Sequence, residues 1–401
     1  MALAIFLLTY LFLAGGNLPG LKLDRPGGAL LGATAMVALG VVAPSEVKEA
    51  IDADTLILLL GMMLLGAYLT GAGFFRSSAW HVLHLARTPR MLLVALAAVS
   101  AVLSALLVND TVCLILTPLV LAVAESGKLP PLPYLLALCM ASNAGSVATF
   151  TGNPQNMLIG ISSGISFGAY AAYMVLPALA ATAVTVGVLL FAFRKELPTG
   201  SIAPDTPRPE LDRVQALICL GALLAVLLAF LLGYSMAWSA LAGAAVVMVL
   251  SRKPPRDTLM SLDFVLLLFF ASLFIVVYGV HKAGWVERMH EVLDPSDPWR
   301  FSALTVLASN LFSNVPYVMV ARHWVPKLPD PTFYWHLLAL GSTLAGNLTL
   351  VGSIANLIVF EGARDSLKVT FWQYFRVGAP ATLVSLAAAM GVLVLEHRLF
   401  P

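Results

Sequence analysis

Ser142-Asn143-Ala144-Gly145-Ser146-Val147-Ala148-Thr149-Phe150-Thr151-Gly152-Asn153-Pro154-Gln155-Asn156 interrupts an otherwise apolar segment, Leu135 to Gly160, with three Asn, two Gly and a Pro. In lipid every backbone polar group must be satisfied internally, so a helix broken at membrane depth is tolerated only inside protein or along a cavity. A polar break in an apolar span therefore marks a candidate site. A similar run, Ser342 to Asn356 (S-T-L-A-G-N-L-T-L-V-G-S-I-A-N), follows at an offset of 200, pairing Thr149, Gly152 and Asn156 with Thr349, Gly352 and Asn356. Two such interruptions at corresponding places in two halves are the pattern of a membrane transporter.

Composition fixes the class. Of the 401 residues 60% are hydrophobic and 11% charged, against about 25% charged in average soluble chains. The net charge of +2 and the lack of a basic run interleaved with aromatics argue against a nucleic-acid partner. Met1 to Leu18 lacks the charged front of a secretory signal and reads as a retained first span. Cys113, Cys139 and Cys219 sit in apolar contexts without ligand spacing, as small hydrophobes do.

With about 20 apolar residues per span, the chain divides into two halves and a linker. Residues 1–193 form a first repeat. Its apolar block at 91–125 is too long for one span and is cut by Val108-Asn109-Asp110-Thr111, which predicts a re-entrant hairpin; a broken helix follows at 135–160. Residues 194–213, with four Pro, read as a cytoplasmic linker. Residues 214–401 form a second repeat, with a hairpin at 301–325 cut by Ser313-Asn314-Val315-Pro316 and a broken helix at 333–360. The expected fold is an all-α polytopic membrane protein of two inverted-topology repeats, each with five spanning helices, one of them broken, plus one re-entrant helical hairpin. An odd number of spans per half inverts the second half. Threading the chain with both termini outside places sixteen of the 23 Lys and Arg inside and seven outside, as the positive-inside rule requires. Local sequence supports the pairing: Thr70-Gly71-Ala72-Gly73-Phe74 matches His281-Lys282-Ala283-Gly284-Trp285, and Asn109 matches Asn314. The counterpart of Asn143 stays open, because the offset shifts by two upstream of the second break.

Asp110 is the one acid placed well inside the apolar region. Inserting it at mid-bilayer costs about 2.5–3.5 kcal/mol, so it should face a cavity as a coupling-ion ligand or proton carrier; the plainer alternative is a helix N-cap. Asn and hydroxyl side chains offer neutral ligands for a small cation, and half-helix N-termini attract an anion, although interhelical bonding alone could account for any single Asn. The candidate substrate and ion site comprises Asn109, Asp110 and Thr111 at the first tip and Ser142, Asn143, Thr149, Gly152, Asn153 and Asn156 in the first break. From the second half it takes Ser313, Asn314 and Pro316 at the tip, and Asn347, Thr349, Gly352, Ser353 and Asn356 in the break. The anion is expected where Asn143, Thr149, Asn314 and Thr349 converge. No tightly bound metal or cofactor is expected; a coupling Na+ would sit near Asn109, Asp110 and Asn153.

No catalytic constellation appears. Gly160-Ile161-Ser162-Ser163-Gly164 fits G-x-S-x-G but follows a helix rather than a strand. His81 and His84 read as interfacial residues of a loop. Arg322 and His323, after the second hairpin, are membrane-interface anchors or steer an anion from outside. No phosphate-binding loop is present, so an ATPase could act only as a partner.

Through Asn109-Asp110-Thr111 with Leu116-Thr117-Pro118, Thr151-Gly152-Asn153-Pro154-Gln155-Asn156, Ser313-Asn314-Val315-Pro316 and Gly352-Ser353-Ile354-Ala355-Asn356, the chain resembles the ion transporter superfamily, in the branch of arsenite permeases and citrate-transporter-like anion permeases. That resemblance implies an inverted-repeat fold, a site between hairpin tips and broken spans, and a homodimer with an elevator-like motion. The divalent-anion branch carries Ser-Asn-Thr at both tips; Asn-Asp-Thr and Ser-Asn-Val-Pro here depart from it. The expectation is a secondary active transporter of the inner or plasma membrane, not an enzyme, moving a small inorganic or carboxylate anion coupled to H+ or Na+. Its alternatives are a Na+/H+ antiporter on the same scaffold and, distantly, a membrane-embedded enzyme.

Overall fold

The computed structural model describes residues 1–15, 24–197, 200–202, 206–251 and 253–399. Lys22 and Arg252 of the charge pattern, the end of the first expected span and parts of the 194–213 linker lie outside the described residues.

The described chain is helical, without strands. Its helices are α1 (Ala2–Gly15), α2 (Arg25–Ala38), α3 (Val47–Ala50), α4 (Ala53–Gly71), α5 (Phe74–His84), α6 (Pro89–Leu106), α7 (Asn109–Ser126), α8 (Pro131–Ser146), α9 (Pro154–Ser163) and α10 (Phe167–Ala192). They continue as α11 (Arg213–Leu231), α12 (Met236–Leu250), α13 (Pro255–Met260), α14 (Phe264–Lys282), α15 (Trp285–Leu293), α16 (Pro298–Phe312), α17 (Asn314–Ala321), α18 (Pro331–Ala345), α19 (Ile354–Gly362) and α20 (Phe371–Leu399). Among the described residues seven helices are long and apolar enough to cross a membrane: α4, α6, α7, α10, α11, α14 and α20. The chain is an integral, multi-pass membrane protein.

Local chemistry sets the boundaries. Asp52, Asp212, Asp263, Asp297 and Asp330 each accept a hydrogen bond from an N-terminal backbone N–H of the helix they precede, satisfying an otherwise orphaned donor. Pro opens α6, α8, α9, α16 and α18, where its missing N–H costs nothing. Gly73 and Gly284, matched in the sequence, both take the left-handed conformation, at φ 76° and 73°, between a spanning helix and a short one. His81 and His84 are therefore not on a loop: they lie on α5, where His84 stacks on Trp80 at 4.0 Å. The linker is pinned to the same helix, Trp80 donating to the Thr206 carbonyl at 3.1 Å.

The two broken spans form the centre. Every residue of Pro133–Ser146 in α8 and of Phe333–Ala345 in α18 is buried. The polar interruptions thus lie inside protein, where non-helical backbone is affordable at membrane depth. Small residues let the neighbours close in: a Cβ on Gly145 would stand 2.3 Å from Ala101 of α6, and one on Gly61 2.7 Å from the backbone of α12.

Candidate functional site

The four interruptions meet. Leu107 is extended and Val108, at φ −59° and ψ 124°, is not helical, so α7 begins afresh at Asn109. Asn109 donates from Nδ2 to Asn143 Oδ1 at 2.9 Å, and its own Oδ1 accepts the Asp110 N–H at 3.0 Å. Ser142 lies beneath, its hydroxyl 2.7 Å from that of Ser104.

Across the two breaks the amides bind each other. Asn143 Nδ2 donates to Asn347 Oδ1 at 2.8 Å and to Asn356 Oδ1 at 3.4 Å, while Ser353 donates to Asn143 Oδ1 at 3.2 Å. The reciprocal contacts run from the other half: Asn153 Nδ2 donates to Thr343 Oγ1 at 3.1 Å, and Thr343 donates to Asn156 Oδ1 at 3.3 Å. Thr343, 200 residues after Asn143, thus holds towards the first break the position that Asn143 holds towards the second. Asn156 Nδ2 donates to the carbonyls of Ser146 and Thr149, at 3.1 and 3.2 Å. Asn356 Nδ2 repeats this on Gly346 and Thr349, at 2.7 and 3.1 Å. Each amide holds its own break in shape.

Between this network and α14 lies a cavity of about 30 Å³, lined by Asn109, Asp110, Pro154, Gln155, Leu266, Phe269, Phe270, Ser313, Asn314, Val315, Ser353 and Ile354. Among the described residues no Lys, Arg or His lines it. Instead the N-termini of α7, α9, α17 and α19 all contribute lining residues, and each such terminus carries a partial positive charge of about half a unit. Asp110, half-buried at the head of α7, supplies the only carboxylate of the lining. Asn314 is buried, and among the described residues its Oδ1 has no hydrogen-bond partner. Ser313, joining α16 to α17, has φ 80° and ψ 154°, a region populated almost only by Gly and worth about 1–3 kcal/mol of strain.

The expected convergence of Asn143, Thr149, Asn314 and Thr349 on one point is corrected: of these only Asn314 lines the cavity. Asn143 is held in the amide network. Thr149 donates to the Ala105 carbonyl of α6 and Thr349 to Asn310 Oδ1 of α16 at 3.0 Å, so both threonines fasten a break to a neighbouring helix. Asn153 is similarly engaged, its Oδ1 accepting the Asn156 N–H at 2.9 Å and its amide donating to Ser146 at 2.9 Å. Gly152 and Gly352 are spacers, since Cβ atoms there would stand 2.3 Å from the Ser146 carbonyl oxygen and 2.8 Å from Asn310 Oδ1. The Pro316 carbonyl accepts from Tyr10 at 2.8 Å, and Thr111 lines an adjoining cavity with Asp110. Gln155, Leu266, Phe269 and Phe270 were not anticipated. Gln155 had a signal, lying inside the Gly-Asn-Pro-Gln-Asn run; the α14 residues had none, being ordinary members of an apolar span.

Arg322 is not free to meet an anion: it pairs with Asp52 at 3.1 Å and lies over the Phe274 ring at 5.2 Å. The G-x-S-x-G match falls on the C-terminus of α9, closed by Gly164 at φ 69°.

A family model described as citrate transporter matches residues 8–332. The chain is 31% identical to the silicon efflux transporter LSI3 of Oryza sativa subsp. japonica, over 94% of this chain and 93% of that protein. It is 25% identical to the putative transporter arsB of Dictyostelium discoideum, over 98% and 91%. In fold it is similar to the Alcanivorax borkumensis YdaH transporter, with a TM-score of 0.58 at 16% identity, covering 100% of this chain and 99% of that one.

Proposed function

The chain belongs to the citrate transporter family, is a transporter and not an enzyme, and from that premise we propose secondary active transport of a small inorganic oxyacid or its anion, coupled to H+ or Na+ through Asp110. The observation that carries this reading is the junction of four helix N-termini around a cavity that no cationic side chain lines among the described residues. Aligned N–H dipoles and hydroxyls attract an oxyanion, or donate to the oxygens of an uncharged hydroxylated acid, without the strong hold of a buried Arg. A cavity of this size suits a compact inorganic species better than citrate, and the relatives named for silicon efflux and as arsB-like point the same way. The proposal includes the inverted repeats, α6–α7 and α16–α17 as re-entrant hairpins, both termini outside the plasma or inner membrane, and elevator motion within a homodimer.

A single carboxylate at the head of α7 makes the two halves chemically unequal, since Val315 follows Asn314 where Asp110 follows Asn109. In proteoliposomes, Asp110→Asn should abolish the dependence of transport on pH or Na+ while the protein still folds. Coupling that survives the substitution would remove Asp110 from this role. Asn314 lines the same cavity and, among the described residues, its buried Oδ1 has no hydrogen-bond partner, which favours a second reading, a Na+/H+ antiporter. A proton flux driven by Na+ with no oxyacid present would select it.

A further inference from the structure

Two ends of the bundle treat the central cavity differently. At the end where α14 begins, a second cavity of about 300 Å³ is lined by Thr70 of α4, Asp110, Thr111 and Leu114 of α7, and Ser261 and Asp263 before α14. Asp110, Leu266 and Ile354 line both cavities, so this vestibule adjoins the central site. At the opposite end, where α4 begins, the Arg322 guanidinium sits between Asp52 Oδ2 at 3.1 Å, the Ser162 hydroxyl at 3.5 Å and the Phe274 ring, and the Arg322 and Asp52 side chains are only 18% and 19% exposed. This pair ties three elements together: the head of α4, the end of α9 and the end of α17.

The halves explain the difference. Asp52 and Asp263 are equivalent: each caps the helix that ends at a left-handed Gly, Gly73 or Gly284, and their spacing equals that of the two glycines. Counting from the paired tip residues Asn109 and Asn314, the position of Arg322 corresponds to Thr117. Thr117 is too short to bridge and bonds back to the Cys113 carbonyl at 2.7 Å. Asp52 therefore has a cation to close on, whereas among the described residues Asp263 has no ion-pair partner.

We propose that the Asp52–Arg322 pair is a latch that closes the site towards the α4 end, so that this structure is the state open through the Asp263 vestibule, and that the latch must part for the site to face the other side. Its physiological meaning rests on the transport reading, but the test needs no substrate, so failure of either is seen separately.

Cysteine introduced as Val315→Cys reports on the central cavity, and Leu114→Cys on the vestibule. The native Cys113, Cys139 and Cys219 are buried, and the parent chain supplies the background. In sealed vesicles a membrane-impermeant maleimide should label Leu114→Cys from the Asp263 side and Val315→Cys poorly from the Asp52 side. Adding Arg322→Gln should raise labelling of Val315→Cys from the Asp52 side about tenfold, the order expected when a charge-assisted hydrogen bond is lost from a two-state gate. The exchanged pair Asp52→Arg with Arg322→Asp should return it towards the parent rate. Unchanged labelling in a normally folded Arg322→Gln protein overturns the latch, as does an increase that the exchanged pair retains. Should Arg322→Gln fail to fold, Asp52→Asn removes the same charge pair while keeping an N-cap for α4: it should raise labelling of Val315→Cys from the Asp52 side in the same way, and unchanged labelling overturns the latch.

Discussion

Asn143 and Asn347, 204 positions apart, join the two broken spans directly, the amide of the first donating to the carbonyl oxygen of the second at 2.8 Å. Asn347 in turn donates to the Met140 carbonyl at 3.0 Å, and Asn143 accepts from Asn109 and Ser353. One buried side chain thus links the first tip to both breaks. Asn143→Ala would strand the Asn109 amide, the Ser353 hydroxyl and the Asn347 oxygen. We expect a loss of about 3 kcal/mol, since each unsatisfied buried group costs about 1–3 kcal/mol and neighbours partly rescue one another. Denaturant unfolding in detergent measures it, and a loss below about 1 kcal/mol would show that the network is dispensable for stability.

The glycines of the two breaks should differ in tolerance. A Cβ on Gly152 meets the Ser146 backbone within 2.3–2.8 Å, whereas one on Gly352 meets chiefly the Asn310 side chain at 2.8 Å and the Gly346 carbonyl at 3.0 Å. Backbone cannot move aside as a side chain can, so Gly152→Ala should be more destabilising than Gly352→Ala, by about 1–2 kcal/mol on the scale of overpacked cores. Equal thermal-shift losses would contradict this.

Ser313 holds a backbone conformation that only Gly adopts readily. Ser313→Gly should stabilise the folded protein by about 1 kcal/mol, while Ser313→Ala, which keeps a Cβ, should not. Because Ser313 lines the cavity, both should change apparent substrate affinity. Identical stability for the two variants would mean that the strain is not relieved there.

Glu46, in the connection between α2 and α4, accepts from Lys282 Nζ at 2.6 and 2.7 Å and from the Ala43 N–H at 2.7 Å. The Lys282 hydrogen bond first, and the Ala43 bond next, hold its carboxyl below the usual carboxylate range. A lowered folded-state value means that this contribution is complete above the unfolded value of about 4.3 and is lost as pH falls through the folded one. Lys282→Met should therefore lower the melting temperature by a constant amount above about pH 5, with the difference shrinking below about pH 4. A difference that persists at acid pH would assign the effect of Lys282 to packing.

Much of the frame was legible in the residues alone. Asn156 and Asn356 were matched by spacing, and each makes the same pair of hydrogen bonds to its own break. Gly73 and Gly284, paired by local sequence, share one backbone conformation. What spacing could not separate is a polar side chain that faces the cavity from one that shapes it. Asn153 and Asn314 look alike as candidate ligands, yet the first is hydrogen-bonded on both its amide nitrogen and its oxygen, and the second keeps a buried oxygen without a partner.

The sequence by itself determined the membrane class, the broken spans and the polar tips, because burying polar backbone in lipid is costly enough to leave only a few solutions for a chain so apolar. Only the tertiary structure decided which end of the bundle carries the Asp52–Arg322 pair and which amides are already paired. Those outcomes depend on hydrogen bonds between residues about 200 or more positions apart, such as Asn143 with Asn347 and Asp52 with Arg322, and no local pattern encodes which of several equivalent donors reaches a given acceptor first.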